Sequence, residues 1–140
     1  MNQLKQYLSD GQCRGVVRSA QGEVVVFRRR GVVDLFELST ARPGFLRGAS
    51  AADRVVGRGA ALLFVRGGVS RIYAGIVSAG ALDVLRRGGV SVEYGTQVPH
   101  IINRAGTGIC PVEQLTAFTD DPDEAYNLIK KFIENQKQKQ

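Results

Sequence analysis

Residues Arg71 to Tyr94 restrict the fold more than any other stretch of the chain. Arg71–Ser78 carries Ile72, Tyr73, Ile76 and Val77 and predicts a central strand. Ala79–Arg87 then reads as a helix stopped by Gly88-Gly89, and Val90–Tyr94 as a second strand. Strand, helix and strand joined this closely form a parallel pair with a right-handed crossover. Such a pair requires an α/β protein in which helices cover the sheet.

The preceding segments add antiparallel strands. Cys13–Ser19 and Glu23–Arg28 are β-branched runs separated by Ala20-Gln21-Gly22, the pattern of a hairpin. A short helix over Asn2–Asp10, with Leu4, Tyr7 and Leu8 on one face and Gly11 beyond its end, is expected to pack against the sheet edge. Val32, Leu35, Phe36 and Leu38 give Gly31–Leu38 a mostly helical spacing before Pro43-Gly44 breaks the pattern. Ser50–Val65 reads as the best-defined helix, with a Ser50-x-x-Asp53 cap followed by Val55, Val56, Ala60, Leu63 and Phe64. Gly57 and Gly59 each cost such a helix about 1 kcal/mol relative to alanine, so it is expected to be buried where backbones approach closely.

Toward the carboxyl end, Pro111–Phe118 predicts a short helix, and Pro122 to Asn135 a longer one with Ala125, Leu128, Ile129 and Phe132 inward. The layout is one domain over residues 1–135 with a polar tail over 136–140. Its class is three-layer α/β/α with a mixed sheet.

Charge and cysteine usage narrow the partners. No stretch approaches the roughly 18 apolar residues of a membrane span, and the amino terminus lacks a basic-then-apolar leader, so a cytoplasmic protein is expected. Cys13 and Cys110 make neither a disulfide framework nor a metal-ligand spacing. The net charge is +6, and fourteen arginines between Arg14 and Arg104 face six acids in the same span. Guanidinium binds phosphate bidentately, so one reading is a polyanion (RNA) binding module, and the ordinary alternative is scattered, solvated arginines. Arg28, Arg29 and Arg30 pose the same choice between a solvated strand end and an anion-facing cluster. With no Trp and 7% aromatic residues, base-stacking platforms are few, so nucleic-acid binding is expected to be weak and unspecific. The sequence is compatible with a homo-oligomer and fixes no oligomeric state.

The stretch from Asn103 to Gln114 reads as a loop opening a helix. Gly106 and Gly108 allow unusual backbone angles, and Pro111 suits a first helical position, which makes Cys110 the N-cap. There a thiol sits in the positive field of the helix terminus beside backbone N–H groups able to hold an anion. Arg104 and Thr107 add a cation and a hydroxyl. The structural alternative is a plain helix start, with Glu113 at the third position of a capping box. Gly106-x-Gly108 lacks the third glycine of a dinucleotide loop and the Gly-Lys-Ser/Thr of a P-loop.

In open α/β sheets ligands lie at the carboxyl ends of parallel strands. Ser78 ends one such strand, the loop after Tyr94 follows the next, and the start of the Ser50 helix can reach the same edge. This gathers a candidate site for a small anionic or nucleotide-like ligand from Asp53, Ser78, Asn103, Arg104, Gly106, Thr107, Gly108, Cys110 and Glu113. Its enzymatic version makes Cys110 a nucleophile, with Asp53 or the only histidine, His100, moving protons. No cofactor is called for.

The order of elements resembles the cytidine-deaminase-like fold. Ser50-Ala51-Ala52-Asp53-Arg54-Val55-Val56-Gly57 and Asn103-Arg104-x-Gly106-Thr107-Gly108-x-Cys110-Pro111-x-Glu113 are similar to the signatures of an uncharacterised bacterial family, domain-of-unknown-function family 1893. The resemblance spans nearly the whole chain and implies no assigned activity. Deaminases hold zinc with a His or Cys two residues before a catalytic Glu and with two cysteines at the next strand end. On the resemblance Ala51 falls at the first ligand, Asp53 at the glutamate, and Ser78–Leu82 at the paired cysteines, so the zinc set is absent and no metal is expected.

Overall fold

The hairpin and the parallel unit share one sheet. In the computed structural model, which describes residues 1–103 and 105–138, the strands are β1 (Gly15–Arg18), β2 (Val24–Phe27), β3 (Ser50–Val56), β4 (Arg71–Ser78) and β5 (Ser91–Val98). Their order is β2-β1-β3-β4-β5. β1 is antiparallel to β2 and to β3, while β3, β4 and β5 are mutually parallel. The helices are α1 (Asn2–Tyr7), α2 (Val33–Ala41), α3 (Arg58–Gly67), α4 (Ala79–Arg87), α5 (Pro111–Leu115) and α6 (Pro122–Gln138).

Two hydrophobic layers hold the helices on opposite faces. On one, Leu4 of α1 packs with Val16 and Ala52. On the other, Leu35, Phe64 and Leu85 from α2, α3 and α4 join Val17, Ala51, Ile72 and Ala74 of the sheet, and Ile129 of α6 completes the cluster. Each fully buried Leu, Ile or Phe contributes about 1.5–3 kcal/mol of transfer free energy. The result is the expected mixed-sheet α/β/α arrangement.

One prediction fails here: Ser50–Val65 is not one helix. Its first seven residues are strand β3, and the helix starts after Gly57. Ser50 and Asp53 therefore cap nothing; they pair with Arg18 and Gly15 of β1. Ala51 and Ala52 are both buried, one against each helical layer. Ser-Ala-Ala-Asp-Arg-Val-Val carries no period-two alternation, and its Ser-x-x-Asp spacing imitates a helix cap. The glycines do serve close packing, since a Cβ on Gly59 would come within 2.4 Å of Val112 on α5. Several boundaries also move: β5 continues past Tyr94 to Val98, α6 runs through 136–138 and takes part of the expected tail, α1 stops at Tyr7, α5 stops at Leu115, and α2 covers Val33–Ala41.

The parallel strands share a kink. Register skips Arg54 in β3, Gly75 in β4 and Gly95 in β5. A Cβ on Gly75 would lie 2.7 Å from the Arg54 carbonyl oxygen, and one on Gly95 would lie 2.9 Å from that of Gly75. Only glycine tolerates such an approach. The skip reverses the side-chain alternation: Ala51 and Ile72 face the α3 layer, yet Val56 and Val77 face it too, while Val55 and Ile76 are exposed.

Candidate functional site

Glu113 organises the carboxyl ends of the parallel strands. Pro111 opens α5 after Cys110, as the sequence predicts, but Cys110 makes no side-chain cap. Glu113, only 6% exposed, turns away from its own helix end, so the capping box does not form. Its Oε1 accepts from the Arg58 backbone N–H at 2.6 Å and from Ser78 Oγ at 2.9 Å. Its Oε2 accepts from the Ile101 backbone N–H at 2.9 Å. Arg58 N–H belongs to the first turn of α3, so the carboxylate completes a neighbour's N-terminus. Ser78, fully buried, also accepts from Ala81 N–H and so caps α4. Three segments, after β3, after β4 and after β5, thus converge on one side chain.

Around this node the loop closes on itself. Ile102 bridges Ile109 in antiparallel fashion, and Cys110 N–H donates to the Ile101 carbonyl at 2.8 Å. Asn103 Oδ1 accepts from Thr107 N–H at 3.0 Å, and its Nδ2 donates to Thr107 Oγ1 at 3.2 Å. Gly106 N–H donates to the Asn103 carbonyl, and Gly106 adopts φ +71°. The amides expected to cradle an anion at Gly106 and Thr107 are therefore spent inside the loop. Arg104, assigned to the site from sequence, lies outside the described residues. His100 is exposed, with Nδ1 3.8 Å from Glu113 Oε2, and Cys110 is half-buried.

Asp53 stands apart from this group. It lies four residues before Gly57, roughly 13 Å along the strand by the usual rise, against Gly15 of β1. Burial pushes its carboxyl up to about 7, against the hydrogen bond from Val55 N–H and the charges of Arg14 and Arg54. Asp53 itself is half-buried. Cys13 is buried, its thiol donates to the Gly15 carbonyl at 3.3 Å, and burial raises its pKa.

Residues 3–133 match the family described as TM1506: Domain of unknown function (DUF1893). The chain belongs to the DUF1893 family. Its fold is similar to the crystal structure of a DUF1893 family protein (TM1506) from Thermotoga maritima, with a TM-score of 0.82 and 25% identity, covering 93% of this chain and 86% of that one. Among curated proteins none matches. Among the described residues of this DUF1893 chain no group of three His, Cys, Asp or Glu side chains could hold a metal ion. Ala51 and Asp53, which the resemblance set at the first ligand and the glutamate, lie on strand β3. The residues do not fit a deaminase zinc site.

Sequence reasoning assigned the arginines to the surface and missed how many are structural. Arg58 donates to the Thr116 and Thr119 carbonyls at 2.9 and 2.7 Å and to Asp120 at 2.6 Å, pinning the turn between α5 and α6. Arg54 donates to the Cys13 and Asp10 carbonyls at 2.7 and 2.8 Å and also to that of Leu8. Arg29 pairs with Asp34 and Glu37, so the centre of the Arg28–Arg30 triplet is a strand-end clamp. Arg42 pairs bidentately with Glu23, and Arg66 meets Asp123 while lying over the Tyr126 ring. Nothing in the sequence marks which arginines are so engaged, because most of their partners are backbone carbonyls and acids brought close only by the fold.

Proposed function

We propose that this protein is a bacterial, cytoplasmic, cytidine-deaminase-like domain that performs no zinc-dependent deamination and binds a small anionic or nucleotide-like ligand over the Asn103–Glu113 loop. The observation that carries the reading is Glu113: one buried carboxylate locks the ends of three segments into a rigid rim, at the sheet edge where α/β proteins place ligands. The ligand meets the outward side of that rim, where His100 supplies an imidazole held toward Glu113, Thr107 a hydroxyl and Cys110 a thiol. The enzymatic version places Cys110 three residues before Glu113 on one helical face, with His100 next to that carboxylate; Asp53 has no part in it.

Alkylation of Cys110 tests the reading. Cys110 is expected to react faster than the buried Cys13, and inorganic phosphate or cytidine monophosphate to slow Cys110 alone. Replacement His100→Gln is expected to reduce that protection. Equal rates at Cys110 with and without either anion would refute a ligand at this rim.

A further inference from the structure

An open groove lies on the face of the sheet that α1 partly covers. The kink at Arg54 and Gly75 turns Val55 and Ile76, paired in register on β3 and β4, away from the core and leaves them 36% and 39% exposed. They floor an open groove with Tyr73 and Gly75, walled by Leu8 and Ser9 at the end of α1 and edged by Lys5, Arg14 and Arg54. Exposing two adjacent β-branched side chains through a kink that only glycine permits is costly for a fold that could otherwise bury them.

The charges at this groove are pre-set. Arg54 is fixed by three backbone carbonyls through Nε and Nη2, which leaves its Nη1 without a partner among the described residues. The Arg14 guanidinium likewise has no hydrogen-bond partner there, while its backbone joins β2 and Arg54. The acids nearby are occupied: Glu93 pairs with Lys5, and Asp10 Oδ1 accepts from Gln12 N–H. Asp53 lies beside both arginines on the sheet.

We propose that this groove binds a small amphiphilic carboxylate, its head on Arg14 and Arg54 and its alkyl or aryl body on Val55 and Ile76. Charge decides against a second copy of this chain, because a net +6 protein would bring cations to a cationic rim. Position decides against an extended peptide: β3 and β4 are interior strands whose backbone groups are already paired, so no edge is open for strand addition. A molecule with one anionic head and an apolar body needs only what the groove offers.

Calorimetric titration with octanoate tests this, with acetate and 1-octanol as probes lacking the body or the charge. Octanoate is expected to bind the intact protein saturably with a Kd of about 1 mM, and acetate and 1-octanol at least about tenfold more weakly. Arg14→Gln and Ile76→Ser should each weaken octanoate by about tenfold, while Val24→Ser, an exposed apolar residue elsewhere, leaves it unchanged. Amide resonances of Val55, Gly75 and Ile76 should shift on octanoate addition, a readout that stands even if a variant fails to fold. The proposal fails if octanoate shows no saturation, if 1-octanol binds equally well, or if the shifts fall elsewhere. It fails as well if Ile76→Ser converts a dimer to a monomer while octanoate has no effect.

Discussion

Glu113 is buried with both its oxygens matched by donors from three different segments. Glutamine keeps one acceptor but turns a second donor toward the Ile101 N–H. Glu113→Gln is therefore expected to lower stability by about 2–3 kcal/mol, a charged hydrogen bond lost and a donor left unmatched, as read by urea unfolding. Asp53 makes stability depend on pH. Its carboxyl pKa is raised from 3.8 to about 7, so the native state holds the proton more tightly than the unfolded chain does. Stability from this group is fully present below the unfolded value and is lost as pH rises through the folded one. Asp53→Asn should flatten that decline and leave the variant the more stable protein at about pH 8, with the difference vanishing toward about pH 4. Parallel unfolding profiles for the two proteins would remove Asp53 as a source of pH dependence.

At the scale of elements, the hairpin, β4, α4 and α6 are legible because each carries a period or a stop signal of its own: the β-branched runs, Gly88-Gly89, and the inward spacing of Ala125 and Ile129. β3 is not. Its identity depends on β1 and β4 on either side and on helical layers above and below, none of which is local to Ser50–Val56. The same blindness hides the kink, whose glycines are twenty residues apart in sequence and neighbours in space. Gly75→Ala is expected to destabilise by about 1–3 kcal/mol, because the added carbon meets a fixed carbonyl in the sheet interior. Gly95→Ala on the edge strand should cost less, since β5 can yield outward. A larger loss at Gly95 than at Gly75 in thermal unfolding would show that the kink is set from the edge.

For the whole molecule, at least five of the fourteen arginines are engaged within the fold. Arg29, Arg42, Arg54, Arg58 and Arg66 spend their guanidinium groups on the protein's own carboxylates and carbonyls. RNA and DNA are accordingly expected to bind weakly and to be released by modest salt, whatever their sequence. Filter binding at two salt concentrations checks this, and tight, salt-resistant, sequence-dependent binding would revive the polyanion reading. That the loop after β5 returns to the carboxyl ends of the parallel strands was legible from the order of elements, and Glu113, Ser78 and His100 do meet there. What could not be read was direction: whether Glu113 caps its own helix or its neighbour, and whether the loop's amides face outward or are spent inside. Both depend on the packing of α5 against α3. The central claim, a ligand site on the rim that Glu113 holds together, is tested most directly by titrating isotope-labelled protein with cytidine monophosphate and following the backbone amides. The account predicts saturable shifts centred on Ile101, Asn103, Thr107 and Cys110 that weaken in His100→Gln, and an absence of saturable shifts there would contradict it.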